Sequence, residues 1–277
     1  MKKLYILFLV VVLTQLANSQ ENEVGPSIKI TYKSMYKTWK ELKSNQDIQI
    51  LEINENKSVF YSQWARLKDY ITDSLNKTGN IDNLERRKLI HKYRTGQSYE
   101  IMKDHIQNTL TYSGLIGSDA LCYQDSMPKL EWSLSNQDST ILSYRCQAAT
   151  TEWKGRKWKV WFTPDIPIAD GPWKLCGLPG LILKATDSEQ LFDFECFEIS
   201  NTTSTIYPFY KSTNRKYTKC SSKQFHEAEK SYRIDPIGYI KRYSDNTVTI
   251  HSMQGNHKGY TKKEREDKYI EIEIITQ

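Results

Sequence analysis

Histidines, cysteines and paired carboxylates would carry acid–base, nucleophilic or metal chemistry, so their spacing is read first. The five histidines (His91, His105, His226, His251, His257) are scattered along the chain. His226-Glu227 opens like the H-E-x-x-H helix of a zinc hydrolase. Lys230 stands where the second histidine is required, and a cation there repels a metal. His251 and His257 read as a polar surface loop. The five cysteines (Cys122, Cys146, Cys176, Cys196, Cys220) contain no C-x-x-C, which excludes a thioredoxin-like site and a zinc knuckle. An odd number leaves at least one thiol over. One or two disulfides between neighbouring strands are expected, with buried thiols as the alternative. Cys176, beside Gly177, sits where an exposed nucleophile would, but a thiolate needs a histidine brought to it in space. There is no G-x-S-x-G elbow, P-loop or G-x-G-x-x-G, and no carboxylate pair is singled out by its surroundings. No catalytic residue, metal site or cofactor is assigned. The expectation is a protein that is not an enzyme, with a secreted hydrolase as the alternative.

The elements that must position any site are mostly strands. Ile28, Ile30 and Tyr32 alternate with Lys29, Thr31 and Lys33. Ile48 to Ile53 and Ser58 to Tyr61 follow as a second and third strand, and Trp158 to Phe162 and Ile270 to Ile274 alternate likewise. Phe192, Phe194 and Cys196 share one face, and Phe197 and Ile199 continue one residue out of phase, which predicts a bulge. Turn residues are read at Asn54-Glu55-Asn56, Ser135 to Asp138 and Thr186-Asp187-Ser188. Helices are predicted over Asn80 to Lys92 and Ser222 to Tyr232, while Lys68 to Gln97 as a whole reads as an excursion from the sheet. The fold class is therefore mainly β: an antiparallel meander forming a curved sheet or half-barrel with a few short helices.

The amino terminus sets an expected compartment. Lys2 and Lys3 precede an apolar run from Leu4 to Leu13, and Ala17-Asn18-Ser19 offers small residues for cleavage. Residues 1–19 are read as a signal peptide, and 20–277 as one β-rich domain with no transmembrane segment. Removal of Lys2 and Lys3 leaves 37 Lys and Arg against 33 Asp and Glu, a surplus too small for a nucleic-acid-binding protein. The expected location is the periplasm or outer cell envelope.

One segment differs in character. Gly155 to Ala185 holds four of the eight prolines and four of the twelve glycines. Leu178-Pro179-Gly180 fits a type II turn, with Pro at its second position and Gly at its third. Such a restrained loop carries Trp173, Leu175, Leu178, Leu181 and Ile182, and so suits either a plug over the core or a preformed apolar surface. Within it, Gly177-Leu178-Pro179-Gly180-Leu181-Ile182 spells the motif of the GLPGLI family. The agreement extends to Tyr144-Arg145-Cys146-Gln147-Ala148-Ala149, Gly155-Arg156, Val160-Trp161-Phe162, Ile166-Pro167 and Gly171-Pro172-Trp173-Lys174. The chain resembles that family strongly from Ile141 to Ile199 and loosely from Ile28 onward. It departs at Ala148, where Lys is expected.

The resemblance implies an exported protein of Gram-negative envelopes, of a family without an established activity, often associated with TonB-dependent outer-membrane receptors. By analogy the architecture is similar to the half-barrel of periplasmic lipoprotein carriers. The expected function is non-enzymatic binding of an apolar, lipid-like ligand or a protein partner such as that receptor. Arg156, Trp161, Trp173, Leu178, Pro179, Gly180, Leu181 and Ile182 are the candidate binding residues.

Overall fold

The computed structural model describes residues 25–38, 44–78, 96–204, 216–243 and 266. The signal peptide expected at residues 1–19, the helix expected over Asn80 to Lys92, His91, His251, His257 and the strand expected at Ile270 to Ile274 lie outside them. Among the described residues no helix is long and apolar enough to cross a membrane.

Twelve strands form one open sheet: β1 (Gly25–Tyr36), β2 (Asn45–Ile53), β3 (Lys57–Ser62), β4 (Tyr99–Asp104), β5 (Thr109–Ile116), β6 (Asp119–Ser126), β7 (Ser133–Ile141), β8 (Tyr144–Trp153), β9 (Arg156–Thr163), β10 (Leu181–Asp187), β11 (Phe192–Ser204) and β12 (Thr218–Lys219). Their order is β12-β6-β5-β4-β3-β2-β1-β11-β10-β9-β8-β7. Every pairing is antiparallel except the two-residue contact of β12 with β6. Two meanders, β1 to β6 and β7 to β11, are thus joined where β11 returns beside β1.

The expected bulge is present. Thr31 pairs with Glu198 and Tyr32 with Cys196, so Phe197 is the extra residue of β11. Ser135 to Asp138 is instead an irregularity inside β7, between the pairings of Leu134 and Asp138, because the strand resumes its ladder beyond it. The sheet is strongly curved. Phe60 on β3 and Phe194 on β11 are three strands apart, about 14 Å in a flat sheet, yet their ring centroids are 6.1 Å apart. Tyr32, Phe60, Ile101, Trp158, Phe162 and Phe194 converge on the concave face as one core.

Three helices are described. α1 (Gln63–Thr78) covers the opposite face of β2 and β3, over a small cluster of Ile50, Val59 and Tyr61. It begins at Gln63, ahead of the excursion read at Lys68 to Gln97, and runs into it; the sequence did not show it as a helix because its residues are polar and bury only this shallow patch. α2 (Ser222–Ile234) starts at Ser221, whose side chain and that of Gln224 cap each other's backbone N–H groups. Its Phe225 packs edge-on to Tyr112 and Tyr123. α3 (Pro236–Tyr243) follows at once, with proline at its first position.

Candidate functional site

The segment from Pro164 to Gly180 joins β9 to β10 as a strap across the concave face. Its backbone is bonded to itself: Ile168 N–H to Ile166 O at 2.7 Å, Asp170 N–H to Ile168 O at 2.8 Å and Gly177 N–H to Ala169 O at 3.1 Å. The turn at Leu178-Pro179-Gly180 is not type II. Gly180 N–H reaches Leu178 O at 2.8 Å, which closes a three-residue turn about Pro179. The positive φ, +90°, falls on Gly177 instead. Gly180 is required for close approach, because a Cβ there would lie 2.1 Å from the Thr163 carbonyl oxygen.

From Asp170 to Cys176 every residue of the strap is buried, and so are Leu178, Leu181 and Ile182. The structure therefore places Trp173, Leu178, Gly180, Leu181 and Ile182 in the core, and only Gly177 and Pro179 of this stretch reach solvent. Trp173, at φ +54°, packs against Trp153 and Trp158 with centroids at 5.5 Å in both cases. Tyr32 donates from its hydroxyl to Ile182 O at 2.7 Å. Arg156 holds the β10–β11 turn rather than the strap: it pairs with Asp187 at 3.0 Å and lies over the Phe192 ring. Trp161 is half-buried, with the Lys159 ammonium 5.2 Å from its ring centroid.

The cysteines form no disulfide; all five are free thiols. Cys146, Cys176 and Cys196 are core fillers, 1–3% exposed, on β8, the strap and β11. Burial pushes the Cys176 thiol up to about 11 and the Cys196 thiol up to about 12. Cys176 thus lacks both the exposure and the thiolate character of a nucleophile.

Two charged groups pin the strap to distant strands. Strand alternation turns Ser58 and Lys103, a cross-strand pair, inward beside Phe60 and Ile101. An ammonium at such a position requires a counter-ion, and the strap supplies Asp170. Lys103 donates to the Asp170 carboxylate and to Gly171 O at 2.9 Å; lysine and aspartate are both fully buried. Ser58 also donates to the carboxylate, as does Gly171 N–H at 2.7 Å. His105, 30% exposed by its side chain, brings Nε2 to 3.2 Å from Asp170 Oδ2. Burial alone would raise the Asp170 carboxyl. The Lys103 charge and the hydrogen bonds from His105, Lys103 and Ser58 outweigh it and hold the group down at about 2. The second pin is Lys174, whose ammonium donates to the Tyr123 hydroxyl at 2.7 Å and lies 4.9 Å from the Tyr112 ring centroid.

The Asp170 cluster backs onto a cavity of about 760 Å³ at the end of the sheet where β1 begins and β2 turns into β3. Its apolar wall is Ile28, Ile53, Pro167, Ile168 and Ala169, and its polar wall is Ser27, Asn54, Glu55, His105 and Asn201. That volume lies within the usual range for small-molecule sites, and apolar walls with a few fixed polar groups are typical of them. No group of three or more metal-ligating side chains occurs among the described residues. Sequence reasoning missed Asp170, Lys103 and the role of His105. Lys103, in phase with Ile101 on an inward face, was the available signal.

A family model described as "Protein of unknown function (Porph_ging)" matches residues 148–184, the stretch containing β9, the strap and the start of β10. The match is consistent with the GLPGLI resemblance, whose motif lies inside it. No curated protein matches the chain. Two solved structures of PNGF-II, in C2 and P21 space groups, have a similar fold, with a TM-score of 0.52 in each. They are 16% and 17% identical to this chain, and the alignment covers 76% of it. The chain spans about a third of the PNGF-II chain, 34% in both structures, and at this identity the likeness is one of fold alone.

Proposed function

We propose that this chain is an exported envelope protein that binds a small apolar ligand without transforming it, as an accessory to an outer-membrane receptor of the TonB-dependent kind. The observation that carries the reading is the cavity of about 760 Å³, with one apolar and one polar wall, bordered on one side by the strap. The candidate residues of the strap act from behind. Trp173, Leu178, Leu181 and Ile182 anchor it in the core, and Pro167, Ile168 and Ala169 present its other stretch to the ligand.

Titration with a fluorescent alkyl probe tests this. Ala169 is exposed on the cavity wall, so Ala169→Trp fills the space without entering the core. Probe affinity is expected to fall by at least about tenfold, with the unfolding midpoint unchanged. Equal affinity in the variant moves binding elsewhere, and turnover of an ester ligand that requires His105 replaces binding with hydrolysis.

A further inference from the structure

The polar wall of the cavity restricts the head group of its occupant. Asp170 is ionised and can only accept, so the proton between it and His105 belongs to Nε2 of the ring. In the neutral imidazole this tautomer leaves Nδ1 with its lone pair. Nδ1 engages no other described residue, although the side chain lines the cavity. The same wall carries the Glu55 carboxylate. Lys103, which shares Asp170 with His105, is committed to that carboxylate and to the Gly171 carbonyl, and Lys57 pairs with Asp104 at 3.7 Å. Asn54 Oδ1 is likewise occupied, accepting from the N–H groups of Asn56 and Lys57. Among the described residues the wall therefore offers a lone pair, a negative charge and the neutral amide groups of Asn54 and Asn201, and no uncommitted ammonium to meet an anion.

We infer that the cavity selects an uncharged apolar molecule headed by a hydroxyl, which donates to His105 Nδ1, and discriminates against the carboxylate of the same chain length. His105 is the recognising residue and Asp170 the positioning residue that fixes its tautomer. This inference rests on the cavity being the binding site, as proposed above.

The test compares 1-decanol with decanoate by displacement of the alkyl probe at about pH 8.5, where the decanoate carboxyl is ionised. The alcohol is expected to bind about tenfold more tightly, the scale of one buried hydrogen bond together with an uncompensated anion. His105→Phe should bring the two ligands within about threefold of each other. His105→Gln, which keeps an N–H for Asp170 and an acceptor for the ligand, should retain the preference. Because Lys103 and Ser58 still hold Asp170, both variants are expected to fold, and thermal unfolding checks this. Decanoate binding as tightly as decanol, with both blocked by Ala169→Trp, overturns the head-group assignment and leaves the cavity as the site. So does a preference that survives His105→Phe. Failure of every alkyl ligand to bind overturns the proposed function and this inference together.

Discussion

Asp170 and Lys174 stand on the same strap and are both buried charges, yet they are held in different ways. Asp170 meets a full counter-ion, Lys103, and hydrogen bonds that use both its oxygens. The Lys174 ammonium donates to a phenol and faces the π-clouds of Tyr112, Tyr123 and Trp173, with centroids 4.9–5.7 Å away. At Asp170 the strap is pinned by charge on charge, and at Lys174, four residues on, in part by charge on quadrupole. The difference follows what lies behind each. The first pin backs onto a cavity and a partly exposed histidine. The second sits in aromatic packing closed by Phe225 and His226 of α2. A site that must present a fixed polar edge to a ligand needs the first kind of anchor.

Removing Lys103 should separate the two pins most sharply. Lys103→Met leaves the Asp170 charge buried without its counter-ion, at a cost of about 3–5 kcal/mol in urea unfolding. Adding Asp170→Asn should recover most of that loss; if it does not, packing rather than charge holds that end.

Acid is expected to release the same pin. The folded Asp170 carboxyl titrates at about 2, below its unfolded value, so its contribution is complete above that unfolded value and lost as pH falls. The loss runs from about pH 4 to about pH 2 and is on the order of 2 kcal/mol. Asp170→Asn should flatten that part of the stability–pH curve.

At the second pin, Lys174→Met removes the hydrogen bond to Tyr123 and the cation–π contacts among the interactions of the ammonium, but keeps the apolar stem. The expected cost is about 1–2 kcal/mol by urea unfolding. A loss matching that of Lys103→Met would show that the second pin also depends on a counter-ion.

The strand plan was legible because its period is two and local. Ile28-Ile30-Tyr32, Trp158 to Phe162 and the out-of-phase Phe197 each declare a face without reference to distant residues. α1 was not legible, since its polar residues acquire meaning only from the patch of Ile50, Val59 and Tyr61 beneath it. The disulfide expectation failed for a related reason. Cysteine spacing does not show depth, and Cys146, Cys176 and Cys196 turn out to be filling the core.

By itself the sequence determined a mainly β architecture, the bulge, and a rigid, apolar segment from Gly155 to Ala185. It left that segment with two readings, plug or surface, and only the tertiary structure decided between them for its buried residues. The reason is that burial is a property of what faces a residue. Leu178 and Ile182 look alike in sequence whether they meet solvent or the core. Asp170 and Lys103 become a pair only when the curved sheet brings the strap back over β4. The same curvature places His105 beside that pair and leaves space in front of it.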